Sequence, residues 1–169
     1  MIKAVVFDAD KTLWDHHNIS IFKEPLTLVG SDTVVDAEGN KLTLFPFVRE
    51  ALKGIKDMGL TLGLATWNYP EKAERVLKLL GLWNLFDVVI SRDYPFKFLY
   101  LSEFVLRVRD LGIYIKPEEI AFFDDRRAHF GNIWLYLGKV KCFEMWKDVK
   151  SFQEVLEVVR KLAKEGGNT

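Results

Sequence analysis

The chain has 169 residues, enough for one domain with a substantial core. Its 49% hydrophobic content fits an ordinary soluble globular protein. Lys plus Arg number 24 and Asp plus Glu number 24, and this balance removes any electrostatic case for a nucleic acid or an acidic membrane surface as partner.

The first strand is expected at about 3–8, where Ala4-Val5-Val6-Phe7 form the short apolar run of a buried central strand. It ends in paired carboxylates, Asp8-Ala9-Asp10, followed by Lys11-Thr12-Leu13-Trp14. A polar and mixed stretch follows from 15 to 44. Within it, 33–36 and 41–44 flank Ala37-Glu38-Gly39-Asn40 and read as a β-hairpin. Pro46 suits the first turn of a helix running to about Met58 and ended by Gly59. A second apolar strand, 60–65, leads into Thr66-Trp67-Asn68. Pro70 opens a helix with Ala73, Val76, Leu77 and Leu80 on its apolar face and Gly81 at its end.

A third strand is expected at 87–90, then an amphipathic helix carrying Phe98, Leu101, Phe104, Val105 and Val108. The fourth strand, 119–123, ends at Asp124-Asp125. A short helix at about 128–136, a fifth strand at 139–143 and a last helix at about 151–164 complete the series. Phe152, Val155, Leu156, Val159 and Leu162 form the inner face of that helix, and 166–169 read as a frayed tail. Cys142, alone of its kind, reads as a small buried hydrophobe in the fifth strand. No targeting segment is expected before the first strand, and no apolar run approaches the roughly 18 residues of a membrane span. A cytoplasmic location is therefore expected.

Strands alternating with helices predict an α/β fold, a doubly wound parallel sheet covered on both faces. The expected organisation is a single domain over 1–165 with a small insertion at about 15–45. Ligands of such sheets bind beyond the carboxyl ends of the strands. The polar residues fall at those ends: Asp8/Asp10, Thr66/Asn68 and Asp124/Asp125. No GxGxxG or GxxxxGK[ST] run is present, which weakens dinucleotide and P-loop readings.

Carboxylates two positions apart on an extended backbone point to the same side and repel. A cation held between them, or a proton shared by them, relieves both the repulsion and the cost of burial. Four converging carboxylates call for a divalent cation, and hard oxygen ligands suit Mg²⁺, which uses one or two of them. One carboxylate is then free to attack a phosphoryl group in line, and another to handle the proton. Thr66, Asn68 and Lys97, the last following the loop after the third strand, are the candidates for holding the phosphoryl oxygens. Lys72 and Lys116 are rivals of Lys97.

DADKT, an apolar strand ending in Thr, a loop Lys and FFDD occur in the motif order of the haloacid dehalogenase (HAD) superfamily. DADKTLW, Leu-Phe-Pro before the first helix, the Tyr94-Pro95-Phe96-Lys97 run and Phe-Phe-Asp-Asp resemble its magnesium-dependent phosphatase subgroup. The resemblance spans about 2–143. It implies a HAD-like core with a minimal hairpin insertion in place of a cap domain. It implies Asp8 as nucleophile and Asp10 as acid–base group, with the Asp10 backbone carbonyl also on Mg²⁺. Thr66 would bind the phosphoryl group, and Lys97 would pair with nucleophile and phosphate. Asp8 and Asp124 would ligate Mg²⁺; Asp125 would act through water or orient Lys97, although a plain helix cap is the alternative for it. The substrate would be a phosphorylated small molecule or a phosphoprotein. Carbon–halogen hydrolysis and a receiver-like regulatory module are the competing readings, and Asp10 argues against both.

The chain departs from the subgroup after the two aspartates. Arg126, Arg127 and Ala128 follow, with His129 where Asn is expected and Asn132 as a substitute. Trp67 and Asn68 follow Thr66 in place of the subgroup's Arg and Thr. His16 and His17 read as solvated or as bordering the entrance, and Trp14, Trp67 and Tyr94 as packing or as stacking on substrate.

Overall fold

The structure is a computed structural model and describes residues 1–165. The expected tail at 166–169 lies outside the described residues. Alternation begins with β1 (Ala4–Phe7), which is completely buried. Ala4 and Val6 face one core and Val5 and Phe7 the other. This period-two split, with both faces apolar, marks a central strand of a parallel sheet. The other strands of that sheet are β5 (Thr61–Trp67), β6 (Val88–Arg92), β7 (Ile120–Asp124) and β8 (Lys141–Glu144). The sheet runs β6-β5-β1-β7-β8, parallel throughout, with Phe7 level with Leu64 and Phe123.

Among the described residues five helices cover it: α1 (Val48–Asp57), α2 (Pro70–Leu79), α3 (Lys97–Asp110), α4 (Phe130–Tyr136) and α5 (Phe152–Lys164). Residues of α1, α2 and α5 pack on the Val5/Phe7 face, and residues of α3 and α4 on the Ala4/Val6 face. On the second face, a Cβ at Gly63 of β5 would lie 2.4 Å from the Phe104 ring. Glycine there lets α3 settle onto the sheet. Among the described residues no helix is long and apolar enough to cross a membrane.

Between β1 and α1 lies a three-stranded antiparallel sheet, β2 (Thr27–Val29), β3 (Thr33–Val35) and β4 (Lys41–Thr43). The expected hairpin is β3–β4, and β2 is an additional strand. All three of its residues are exposed, so no burial pattern marked it in the sequence. Val34 and Leu42 join the main core. Arg49 of α1 bonds Asp32 and the Ser31 carbonyl, Lys72 of α2 bonds the Phe22 carbonyl, and Arg75 pairs with Glu24.

Strand ends moved by one or two residues, and three boundary shifts stand out. Pro46 lies outside α1, because Phe47 adopts a left-handed φ of 68° and the helix starts only after it. The short helix begins as a 3-10 turn, Arg127–His129, before α4. The fifth predicted strand starts later and reaches Glu144. Cys142 is partly rather than fully buried, and burial pushes its thiol to about 12, which keeps the thiolate scarce.

Candidate active site

β5 and β6 extend to one side of β1 and β7 and β8 to the other, so the winding reverses at β1. Such a switch point leaves a crevice beyond the strand ends, and a cavity of about 310 Å³ opens there. Asp8, Asp10, Asn68, Lys97, Asp124 and Asp125 all line it.

Asp8 follows β1 directly. Its N–H still donates to the Phe123 carbonyl at 2.9 Å, which fixes the backbone against β7. The side chain is held from two directions. Lys97 Nζ donates to Asp8 Oδ1 at 2.7 Å, and Thr12 Oγ1 donates to Oδ2 at 3.1 Å. Lys97 is the first residue of α3 and only 3% exposed. Its Nζ also donates to the Ala65 carbonyl at 2.6 Å and lies 3.7 Å from Asp124 Oδ2. Burial would lower its pKa, but the charges of Asp8 and Asp124 outweigh that and raise it. Lys72 is committed to Phe22, and Lys116 is exposed at the opposite end of β7, so neither rival reaches the crevice.

Asp8, Asp124 and Asp125 can place one oxygen each within 4.8 Å of one another. Asp124 closes β7 and is 1% exposed. Its Oδ1 accepts from the Arg126 N–H at 2.9 Å, while its Oδ2 is buried without a hydrogen-bond partner. Burial, reinforced by the Asp8 charge, pushes Asp124 well above the usual carboxylate range and Asp125 to about 6. Asp125 Oδ1 lies 3.3 Å from Thr12 Oγ1 and shares its single hydroxyl hydrogen with Asp8, so it faces the cluster and does not cap the following turn. One lysine opposes three carboxylates, and a buried carboxylate oxygen with no donor carries a desolvation cost of roughly 1–3 kcal/mol or more. This all-oxygen set with an orphaned oxygen fits a hard divalent cation of the Mg²⁺ type.

The carboxylate of Asp10 turns away from the cluster. Trp14 Nε1 donates to Oδ1 at 2.8 Å, and Asn68 Nδ2 donates to Oδ2 at 2.9 Å. Burial, offset in part by those two donors, leaves its pKa raised to about 6. Thr66 Oγ1, at the end of β5, accepts from Asn68 Nδ2 at 2.7 Å. Its own hydroxyl hydrogen remains to donate elsewhere.

Trp14 is fully buried and clamps Asp10, so it does not stack on substrate. Tyr94 packs against Tyr100 and Phe96. Trp67 and Tyr69 line the mouth and are 44% and 51% exposed. His17 and Asn18 reach the rim, while His16 stacks on His17 and accepts from the Asn18 N–H through Nδ1. Burial, helped by Lys97, pushes His129 down to about 4, so it faces the crevice as a neutral imidazole. Asn132 lines a neighbouring cleft with Pro95, Phe96 and Phe98. It is not among the residues that line the crevice with the aspartates. Thr12, Trp14 and Ser20 are site residues to which sequence reasoning attached no role in holding the aspartates. For Thr12 and Trp14 the available signal was their place four residues beyond Asp8 and Asp10.

Comparison with known proteins agrees with this geometry. The sequence profile of a family described as acid phosphatase matches residues 1–134. Human magnesium-dependent phosphatase 1 is 30% identical over 132 residues, covering 78% of this chain and 72% of that protein. A glyceraldehyde 3-phosphate phosphatase of Methanopyrus kandleri is 31% identical over 138 residues, covering 72% of this chain. The match spans 58% of that relative's length. Among solved structures, a HAD-superfamily hydrolase of Ehrlichia chaffeensis superposes with a TM-score of 0.67 at 14% identity, covering 96% of this chain and 98% of that one, which speaks to the fold.

Proposed function

Because the chain belongs to the acid phosphatase family, we propose that it is a Mg²⁺-dependent phosphatase that hydrolyses phosphate monoesters through an aspartyl-phosphate on Asp8. The observation that carries this reading is the pairing of Asp8 Oδ1 with Lys97 at 2.7 Å beside the unpartnered Oδ2 of Asp124. A carboxylate held by one cation, beside a carboxylate oxygen still open to a second, is a nucleophile prepared for an anionic substrate once that second cation is bound.

Asp8 attacks phosphorus in line, and the bond to the leaving oxygen breaks. Asp10 supplies the proton to that oxygen. Its raised pKa, about 6, suits a group that must both give and take a proton near neutrality. Thr66 donates its free hydroxyl hydrogen to a phosphoryl oxygen, and Lys97 offsets charge on phosphate and nucleophile together. In the second half Asp10 takes a proton from water, which attacks the acyl phosphate and frees Asp8. Asp8, Asp124 and Asp125, with the Asp10 backbone carbonyl, are the groups that would hold the cation. Bound there, Mg²⁺ would neutralise phosphoryl charge and suppress repulsion between the incoming anion and the aspartates.

We read 1–165 as one domain in which 15–45 forms a fixed wall of the crevice. The ties of that segment to α1 and α2 support this reading. The substrate is a phosphorylated small molecule or a phosphoprotein; the name of the Methanopyrus kandleri relative supports the former. The lone cysteine is compatible with a cytoplasmic location. Purified protein assayed with p-nitrophenyl phosphate is expected to turn over with Mg²⁺ and to stop with a chelator. Asp8→Asn is expected to lower turnover by roughly 10³-fold or more. No turnover with Mg²⁺, or unchanged turnover in Asp8→Asn, would sink the reading, and a stable phospho-aspartate would favour a receiver-like module.

A further inference from the structure

We propose that Asn68 is a positioning residue for proton transfer, locked by Ser20 of the inserted segment, and that it acts through Asp10 rather than by contact with substrate. The inference rests on the phosphatase reading and on Asp10 as its acid–base group. Asn68 is 2% exposed, and its side chain is fully committed. Its two amide hydrogens go to Asp10 Oδ2 at 2.9 Å and Thr66 Oγ1 at 2.7 Å. Its Oδ1 accepts from Ser20 Oγ at 2.7 Å, and Ser20 Oγ in turn accepts from the Tyr69 N–H at 3.1 Å. A flipped amide would set Asn68 Oδ1 against the carboxylate of Asp10, so the chain of donors has one direction.

The two oxygens of Asp10 have different surroundings. Oδ1 is tied to Trp14, which is fully buried. Oδ2 is tied to Asn68, which lines the crevice. The oxygen that exchanges a proton with the leaving group is therefore the one Asn68 holds. The same amide makes Thr66 Oγ1 an acceptor and so aims the threonine hydrogen away from Asn68. In the first half-reaction the new bond forms from Asp8 to phosphorus. The ester P–O bond breaks, and the proton of Asp10 passes to the departing oxygen. A leaving group that departs as a stable anion hardly needs that proton, whereas an alkoxide does.

The test compares an alkyl phosphate with 2,4-dinitrophenyl phosphate, both with Mg²⁺ and read as kcat/KM, which ends at cleavage of the ester. Asn68→Ala is expected to lose roughly 100-fold on the alkyl ester and less than about fivefold on the dinitrophenyl ester. Ser20→Ala, which removes the lock and the acceptor of the Tyr69 N–H but leaves the Asn68 amide in place, is expected to show the same selectivity at several-fold size. It decides the matter if Asn68→Ala does not fold. Asp10→Asn serves as the reference for full loss of the acid. Equal losses on both esters, or no effect of Ser20→Ala on either, would overturn the inference and return Asn68 to phosphate binding or packing. Inactivity of the wild type on both esters, or an Asp10→Asn variant without selectivity, would instead count against the phosphatase reading.

Discussion

Two buried carboxylate sites in this chain have opposite characters. In the inserted sheet, Asp36 accepts from the N–H groups of Lys23, Glu38 and Asn40 and from the Asn40 side chain, all within 2.9 Å. Burial opposes its ionisation, yet those donors prevail and hold it at about 2. At the crevice, Asp10, Asp124 and Asp125 are raised, because burial and mutual repulsion exceed the donors available. Asp36 is a finished structural element that organises a turn. The crevice is left short of positive charge, and that shortfall is what a bound cation can relieve, after which an anionic phosphoryl group can enter. Stability given up at one site is the capacity to bind there.

The largest expected effect that would break this contrast is in Asp10→Asn. Turnover of an alkyl phosphate is expected to fall by roughly 10²–10⁴-fold. Stability is expected to respond in the opposite direction as pH rises. The folded pKa of Asp10, about 6, lies above its ordinary 3.8. The cost of ionising it is absent below about pH 4 and complete above about pH 6. A shift of that size corresponds to on the order of 3 kcal/mol. Any hydrogen bond lost to the amide is independent of pH. The Tm of the metal-free variant minus that of the wild type is thus expected to become more positive by roughly 5–10 °C between pH 4 and pH 7. A flat difference in a thermal-denaturation series would show that Asp10 is as settled as Asp36.

Cation binding sharpens the comparison from the other side. Saturating Mg²⁺ is expected to raise the Tm of the wild type, by an amount equivalent to about 2–4 kcal/mol at 100–1,000 times Kd. Asp124→Asn is expected to have little such response, while Asp36→Ala keeps it in full. A Mg²⁺ response surviving in Asp124→Asn would place the cation elsewhere. The smallest effect on catalysis is expected in Asp36→Ala itself, with turnover within about twofold of the wild type. This variant is expected to melt lower at neutral pH. A depressed carboxylate stabilises fully above its ordinary pKa and loses that contribution as pH falls towards the folded value, so the difference in Tm should shrink between pH 4 and pH 2.

Much of the site is legible in the sequence. Asp8, Asp124 and Asp125 stand immediately after apolar runs too short and too apolar for anything but buried strands, and parallel sheets gather such ends on one edge. In the sequence Lys97 has the rivals Lys72 and Lys116, and only the family resemblance singles it out. The hydrogen bonds of Trp14, Asn68 and Ser20 are not legible there. Trp14 reads as a stacking or packing aromatic, and only its indole N–H on Asp10 distinguishes it from the other aromatics. Ser20 lies 48 residues from Asn68, and nothing local in its 3-10 turn announces a partner. The edge strand β2 escapes notice for a related reason, since an exposed three-residue strand has no buried face to print a pattern.

The amino-acid sequence alone determined the class of the fold and the types of side chain gathered at its strand ends. Hydrophobic periodicity encodes which faces are buried, and a carboxylate at the end of a buried strand is expensive unless it has work to do. The tertiary structure alone decided which oxygen of each aspartate is held and by what. It also decided which carboxylates share a cluster and which one stands apart with its own donors. Those outcomes depend on side-chain directions summed over contacts distant in the chain. Differences of a few tenths of an ångström there separate a hydrogen bond from an orphaned oxygen.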